Sequence, residues 1–132
     1  MLEVERFLEI PCDPSQLSPL TLAFVGDCVF ELFVREALVC RGNCPVKKLH
    51  GAAVERVCCS AQAAGMERLM PILTEKEKEI FLRGRNAHVG HVPKNASVAE
   101  YHAATGLEAL FGYLYLQGEL SRLRELTGLL EI

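Results

Sequence analysis

The chain has 132 residues, a mass of 14.6 kDa and a net charge of −3, and half of its residues are hydrophobic. By mass scaling roughly two-thirds of the unfolded surface is buried on folding, which predicts one domain over residues 1–132 with a real core. A charged fraction of 23% excludes a disordered tail or a fibrous repeat.

The stretch Met1 to Arg6 is acidic where a secretory signal would be basic. Ser18-Pro19 is a cap followed by proline at the first helical position, and opens a long apolar helix to about Val39. Arg41-Gly42-Asn43 ends it. Pro45 starts a second helix with Val46, Leu49, Ala53 and Val57 at helical spacing, breaking near Ser60 and resuming to Met70, where Pro71 stops it. Thr74 and Glu77 form a capping box for a helix toward Arg83 or Gly84. Asn86 to Ala96, with Gly90 and Pro93, reads as an exposed loop. Ser97 and Glu100 form a second capping box for a helix to about Gln117, and a short helix follows Ser121. No strand alternation or hairpin signal interrupts this order. The expectation is an all-α, single-domain fold of five to seven helices.

Asp27 and Glu108 break the two most apolar segments, and so deny either segment the ~18–20 uncharged residues of a membrane span. A soluble, cytoplasmic protein is expected. Cys12, Cys28, Cys40, Cys44, Cys58 and Cys59 offer no CxxC pair or paired histidines for zinc, and read as reduced thiols, most of them small core residues.

An ionised carboxylate in an apolar helix costs several kcal/mol unless paired or bound to a cation. Glu31 and Arg35 are spaced as a local i, i+4 pair. Asp27 has no such partner: Ala23, Phe24, Phe30 and Glu31 occupy the positions one turn away. Glu108 sees Ala104, Thr105, Phe111 and Gly112. Two unpaired carboxylates on distant helices most simply meet at one site, and hard oxygen ligands point to Mg²⁺ or Mn²⁺. Gly26 gives up helix propensity beside Asp27, which makes sense if another backbone or a ligand comes close. A second asymmetry lies between Glu79 and Glu100, a stretch without acidic residues that holds Arg83, Arg85, His88, His91 and Lys94. Charge alone reads this equally as a solvated loop or a phosphate-binding surface.

Three segments carry a resemblance: Leu20 to Arg35 (LTLAFVGDCVFELFVR), Arg83 to Asn95 (RGRNAHVGHVPKN) and Tyr101 to Leu116 (YHAATGLEALFGYLYL). Together they resemble ribonuclease III domains, most closely the short Mini-ribonuclease III form without a separate double-stranded-RNA-binding domain. The resemblance implies a homodimeric, Mg²⁺-dependent endoribonuclease acting on double-stranded RNA, with precursor large-subunit (23S) ribosomal RNA as its target. It implies that Asp27 and Glu108 are the catalytic and metal-holding residues. Ala23 and Thr105 stand where full-length ribonuclease III has further acidic residues, a reduction similar to the Mini-ribonuclease III form. Thr105 would either hold a water or bond its own helix backbone. Arg83, Arg85, Asn86, His88, Lys94 and Asn95 become the expected RNA contacts, to phosphates and ribose hydroxyls rather than bases. No aromatic residue lies between Gly84 and Ala99 for stacking on unpaired bases. Tyr101, Tyr113 and Tyr115 read as core or interface residues, Phe24 as a contact to a partner subunit, and Lys47 and Lys48 as a solvated helix start. The competing reading is a non-catalytic RNA- or ribosome-binding module on a nuclease fold, whose mark would be loss of the carboxylates.

Overall fold

The computed structural model describes residues 5–87, 91–92, 94 and 97–130. Among them are six α-helices and no strand: α1 (Pro19–Cys40), α2 (Val46–Val57), α3 (Cys59–Leu69), α4 (Glu75–Arg85), α5 (Val98–Leu116) and α6 (Leu120–Gly128). Short 3₁₀ turns at Pro14–Gln16 and Met70–Ile72 precede α1 and α4.

The helix starts follow from local chemistry. Ser18 Oγ accepts from the Thr21 N–H at 3.3 Å with Pro19 in the first turn. At α4, Thr74 Oγ1 accepts from the Glu77 N–H at 3.1 Å while the Glu77 carboxylate accepts from the Thr74 N–H at 2.9 Å. Ser97 caps α5 through the Glu100 N–H at 3.2 Å. The break expected near Ser60 falls at Cys58, whose extended backbone ends α2 and opens α3. The last helix starts at Leu120, just before the Ser121 boundary read from the sequence.

α5 runs through the middle, packing on α1 most extensively and then on α4 and α3. From Ala104 to Leu114 every residue of it but Glu108 is buried, as a helix apolar all round must be. α1 contributes the stripe Leu22, Gly26, Phe30, Val34 and Leu38, all buried at i+4 spacing. Phe30 and Phe33 set their rings on Phe111, with centroids 5.4 Å and 6.3 Å away.

Two pairs of glycines set how closely α5 is approached. A Cβ on Gly26 would drive into the Glu108 carbonyl, and one on Gly112 into the Leu22 carbonyl, so α1 and α5 touch backbone to backbone. On the other side of α5, a Cβ on Gly84 would lie 2.7 Å from the Ala109 Cβ, and one on Gly106 2.7 Å from the Phe81 ring. The close approach read from Gly26 is therefore to a neighbouring backbone.

The cysteines depart from expectation. Cys12, Cys28, Cys40 and Cys58 are exposed, and Cys44 and Cys59 are half-buried. None lies in the core: the inward stripes of α1 and α3 pass beside Cys28, Cys40 and Cys59, and Cys12, Cys44 and Cys58 lie outside the helices. No helix among the described residues is long and apolar enough to cross a membrane.

Candidate active site

Asp27 follows the glycine on which α1 meets the Glu108 peptide, so the crossing itself brings the two carboxylates together. The Asp27 carboxylate is near enough for its charge to act on the Glu108 carboxyl. Burial first, and then the charge and polar contact of Asp27, push the Glu108 carboxyl up to about 8, while the Gln62 amide works in the opposite direction. Glu108 is half-buried, but Asp27 is exposed, against the expectation of an apolar surround. The physical reason is the inward stripe of α1, which leaves Phe24, Asp27 and Cys28 on the outer side.

Around the pair stand groups from a third helix. Gln62 of α3 is only 3% exposed. Cys59, in the first turn of α3, is half-buried, and its thiol is pushed up by that burial and then by the charges of Glu108, Cys58 and Glu100. Neither residue is singled out by charge or motif in the sequence. The usable signal is Gln62 itself, a polar residue in register with the buried Gly65, Met66 and Leu69.

Among the described residues no cationic side chain pairs with Asp27 or Glu108; the ion pairs lie elsewhere, including the expected Arg35–Glu31 contact at 3.1 Å. No set of three or more histidine, cysteine, aspartate or glutamate side chains gathers around one point there. The donor set is thus two carboxylates with a primary amide beside them. That set suits Mg²⁺ or Mn²⁺, hard cations that accept one or two carboxylates and keep several waters.

Thr105 is buried, and its hydroxyl donates to the Tyr101 carbonyl at 3.0 Å, so of its two expected roles the helix-backbone bond is the one formed. The structure divides the expected RNA contacts. Arg85 leans over the Phe81 ring at 5.9 Å, donates to Asn86 Oδ1 at 3.3 Å, and lines a groove with Glu100, Ala99 and Ala103 of α5. Arg83, two residues earlier, lies along the outer side of α4 with Glu79, Leu82 and Asn86. Arg83, Arg85 and Lys94 are exposed and form no ion pair with a described residue. His88 and Asn95 lie outside the described residues. Tyr113 is buried, Tyr101 is half-buried, and Tyr115 accepts the Phe7 N–H at 2.6 Å. Lys47 and Lys48 are exposed in the first turn of α2.

Residues 20–119 match the family model described as "Ribonuclease III domain". Among curated proteins, the Mini-ribonuclease 3 of Symbiobacterium thermophilum is 52% identical over 113 residues, covering 86% of this chain and 87% of that protein. That of Thermoanaerobacter sp. is 47% identical, covering 86% of this chain and 80% of the relative. That of Brevibacillus brevis is 43% identical over 90% of this chain and 89% of the relative. A crystal structure of a Fusobacterium nucleatum protein superposes with a TM-score of 0.82 at 27% identity, over 89% of this chain and 96% of that one.

Proposed function

The chain belongs to the ribonuclease III family, in its Mini-ribonuclease 3 branch, and on that premise we propose that it hydrolyses phosphodiester bonds in double-stranded RNA at the Asp27–Glu108 pair, with Mg²⁺ or Mn²⁺ as cofactor. An endoribonuclease acting on RNA is the activity of the family. The observation that supports the finer reading is the nearness of two carboxylates with no counter-cation among the described residues, one of them pushed up to about 8 by burial and by the other.

Asp27 and Glu108 would hold the cation from opposite sides of the α1–α5 crossing. When bound, the cation supplies Lewis acidity at the scissile phosphate and makes a nearby water a better nucleophile. Asp27, on the exposed side, is the carboxylate that substrate can reach; Glu108 anchors the site from the core helix. The backbone contact at Gly26 fixes their separation, which matters because misplacement of about 1 Å can cost a hundredfold in rate. Arg85 and Lys94, exposed and without an ion pair among the described residues, would neutralise phosphates, and Arg83, Asn86, His88 and Asn95 are the further RNA contacts this reading assigns. Recognition is of duplex shape, since these side chains meet phosphates and ribose hydroxyls.

We assign a homodimer. Leu20, Phe24, Cys28 and Leu32 form an exposed i+4 stripe on α1, in which Phe24 is 80% exposed. Pairing two copies along this apolar stripe buries it and sets two carboxylate sites toward opposite strands. Precursor 23S ribosomal RNA in the cytoplasm is the physiological substrate this reading names. The test is incubation with a long RNA duplex in Mg²⁺ and in EDTA. Cleavage in Mg²⁺ that stops in EDTA is the expected result, and undiminished cleavage in EDTA would overturn the metal reading.

A further inference from the structure

Arg85 borders a groove of about 390 Å³ between α3, α4 and the first turns of α5, and contacts to a paired duplex leave its interior unused. The volume falls within the roughly 300–1,000 Å³ of small-molecule sites. Met66, Met70 and Phe81 give it an apolar floor, and Ala103 brings only a methyl group from α5. Its acceptors are Glu67, which is exposed, and Glu100, which is half-buried. Neither forms an ion pair with a described residue. The capping box expected at Ser97 and Glu100 is only half made. Ser97 Oγ accepts from the Glu100 N–H at 3.2 Å, but among the described residues the Glu100 carboxylate makes no return bond of the kind that commits Glu77 at the start of α4.

These groups select a ligand. Two carboxylates repel phosphate, so a sugar–phosphate backbone does not suit the interior. An apolar floor with acceptors beside it suits a flat ring that carries N–H donors, which is what an unpaired nucleobase offers once it leaves the stack. Arg85 stands at the edge, leaning over the Phe81 ring at 5.9 Å, where its charge can meet the phosphate of the same nucleotide. Guanine alone among the four bases presents two adjacent N–H donors on its pairing edge, and a carboxylate accepts two such bonds side by side. We propose that this groove is a subsite for an unpaired guanine projecting from the RNA, with the Glu100 carboxylate accepting from its N1–H and N2–H. The subsite rests on the reading of the chain as a nuclease of duplex RNA and adds one feature to that substrate. The exposed basic side chains read shape, and the groove reads the base of a bulge.

The experiment measures RNA binding by fluorescence anisotropy in an Asp27→Asn background. The probes are a short perfect duplex and the same duplex with one extra unpaired G, A, C or U, stepped along one strand. At one bulge position the G duplex should bind roughly tenfold more tightly than the perfect duplex and the A, C and U duplexes, as a good bidentate contact discriminates. Adding Glu100→Gln leaves a single acceptor oxygen and should bring the G duplex to the level of the other bulges. The readout is the ratio of G-bulge to perfect-duplex affinity, because losing a negative charge acts on every duplex alike. Adding Ala103→Leu instead fills the groove and should also abolish the preference, which keeps the test independent of any change at the start of α5. Melting midpoints confirm that each variant folds. Equal affinity for all four bulges at every position would overturn the subsite, as would a G preference that survives both substitutions. Perfect duplex bound by Asp27→Asn and cut by wild type would leave the nuclease reading standing in either case. Failure of wild type to bind or cut perfect duplex would bring down that reading and the subsite with it.

Discussion

Replacing one oxygen of Asp27 by an amide keeps its shape and removes one negative charge from the pair. Asp27→Asn should abolish cleavage in Mg²⁺ while duplex binding and the melting midpoint stay close to wild type; a gel assay on a long duplex reads it, and near wild-type cutting would place the chemistry elsewhere. Glu108 allows a prediction with a sign. Its folded value lies near 8 against an ordinary 4.5, so the metal-free fold binds this proton more tightly than the unfolded chain does. Its contribution is fully present below about 4.5 and is lost as pH rises toward 8. In EDTA at pH 8, Glu108→Gln should melt higher than wild type, and the gap should close toward pH 5. A lower midpoint for the variant at pH 8 would mean that the carboxylate is held by a structural partner. Both carboxylates are legible in the sequence because a charge without an i±3 or i±4 cation stands out in an apolar run. The burial of Gln62 is not, since an uncharged amide carries no charge that a sequence would flag and its place on the inward stripe of α3 shows only in the fold.

At the scale of the helices, the site depends on a contact that has no side chain at all. Gly26→Ala would press a methyl into the Glu108 carbonyl, and overpacking of this kind costs about 1–3 kcal/mol even where side chains can yield. Backbone yields less, so we expect a clear fall in melting midpoint and a loss of kcat of at least about a hundredfold, as α1 moves off α5 and the carboxylates part. Wild-type kcat in Gly26→Ala would show that the site tolerates a wider crossing. A second device ties α6 to the start of α4: Arg122 Nη2 reaches Glu77 Oε1 at 2.7 Å, its Nε reaches Oε2 at 2.9 Å, and its Nη2 also donates to the Ile72 carbonyl at 2.9 Å. The Arg122 hydrogen bonds hold the Glu77 carboxyl below the ordinary carboxylate range. A depressed folded value contributes stability above the unfolded value, lost as pH falls through the folded one. Glu77→Gln should therefore cost about 2–4 kcal/mol at neutral pH, less under acid conditions where wild type loses the pair as well, as denaturant titrations at several pH values would read. The capping box at Thr74–Glu77 is legible because it is local; the pairing with Arg122 spans helices far apart in sequence, and the same glutamate serves both. Helix starts are likewise local, since serine, threonine and proline fix them within one turn. The cysteines lie outside the core, against expectation, because composition says which residue types tend inward and only the helix phase says which positions do.

For the molecule as a whole, the proposed substrate raises the question of how one small domain would hold a duplex. Its net charge of −3 opposes polyanion binding, so affinity has to come from a local basic face. Arg85 lines a groove with the start of α5, the helix that carries Glu108, whereas Arg83 lies along the outer side of α4 with Glu79. The two arginines are two residues apart on one helix and so about 200° apart around it. A single flat contact cannot use both equally. Arg85, on the α5 side, should matter more than Arg83 for a duplex seated over Asp27. In an Asp27→Asn background, replacing Arg85 and Lys94 by alanine should lower the slope of log affinity against log salt by up to about 0.9 for each phosphate no longer neutralised. The weakening should be alike for duplexes of different sequence, because phosphate contacts carry no direct base information. Arg83→Ala should change the slope less than Arg85→Ala does. With an intact Asp27, cleavage at saturating RNA should survive in the double variant, since neither side chain can ligate a hard cation. Binding isotherms at several salt concentrations decide the matter. An unchanged slope and affinity would remove Arg85 and Lys94 from the interface and move it to the exposed Lys47 and Lys48 at the start of α2.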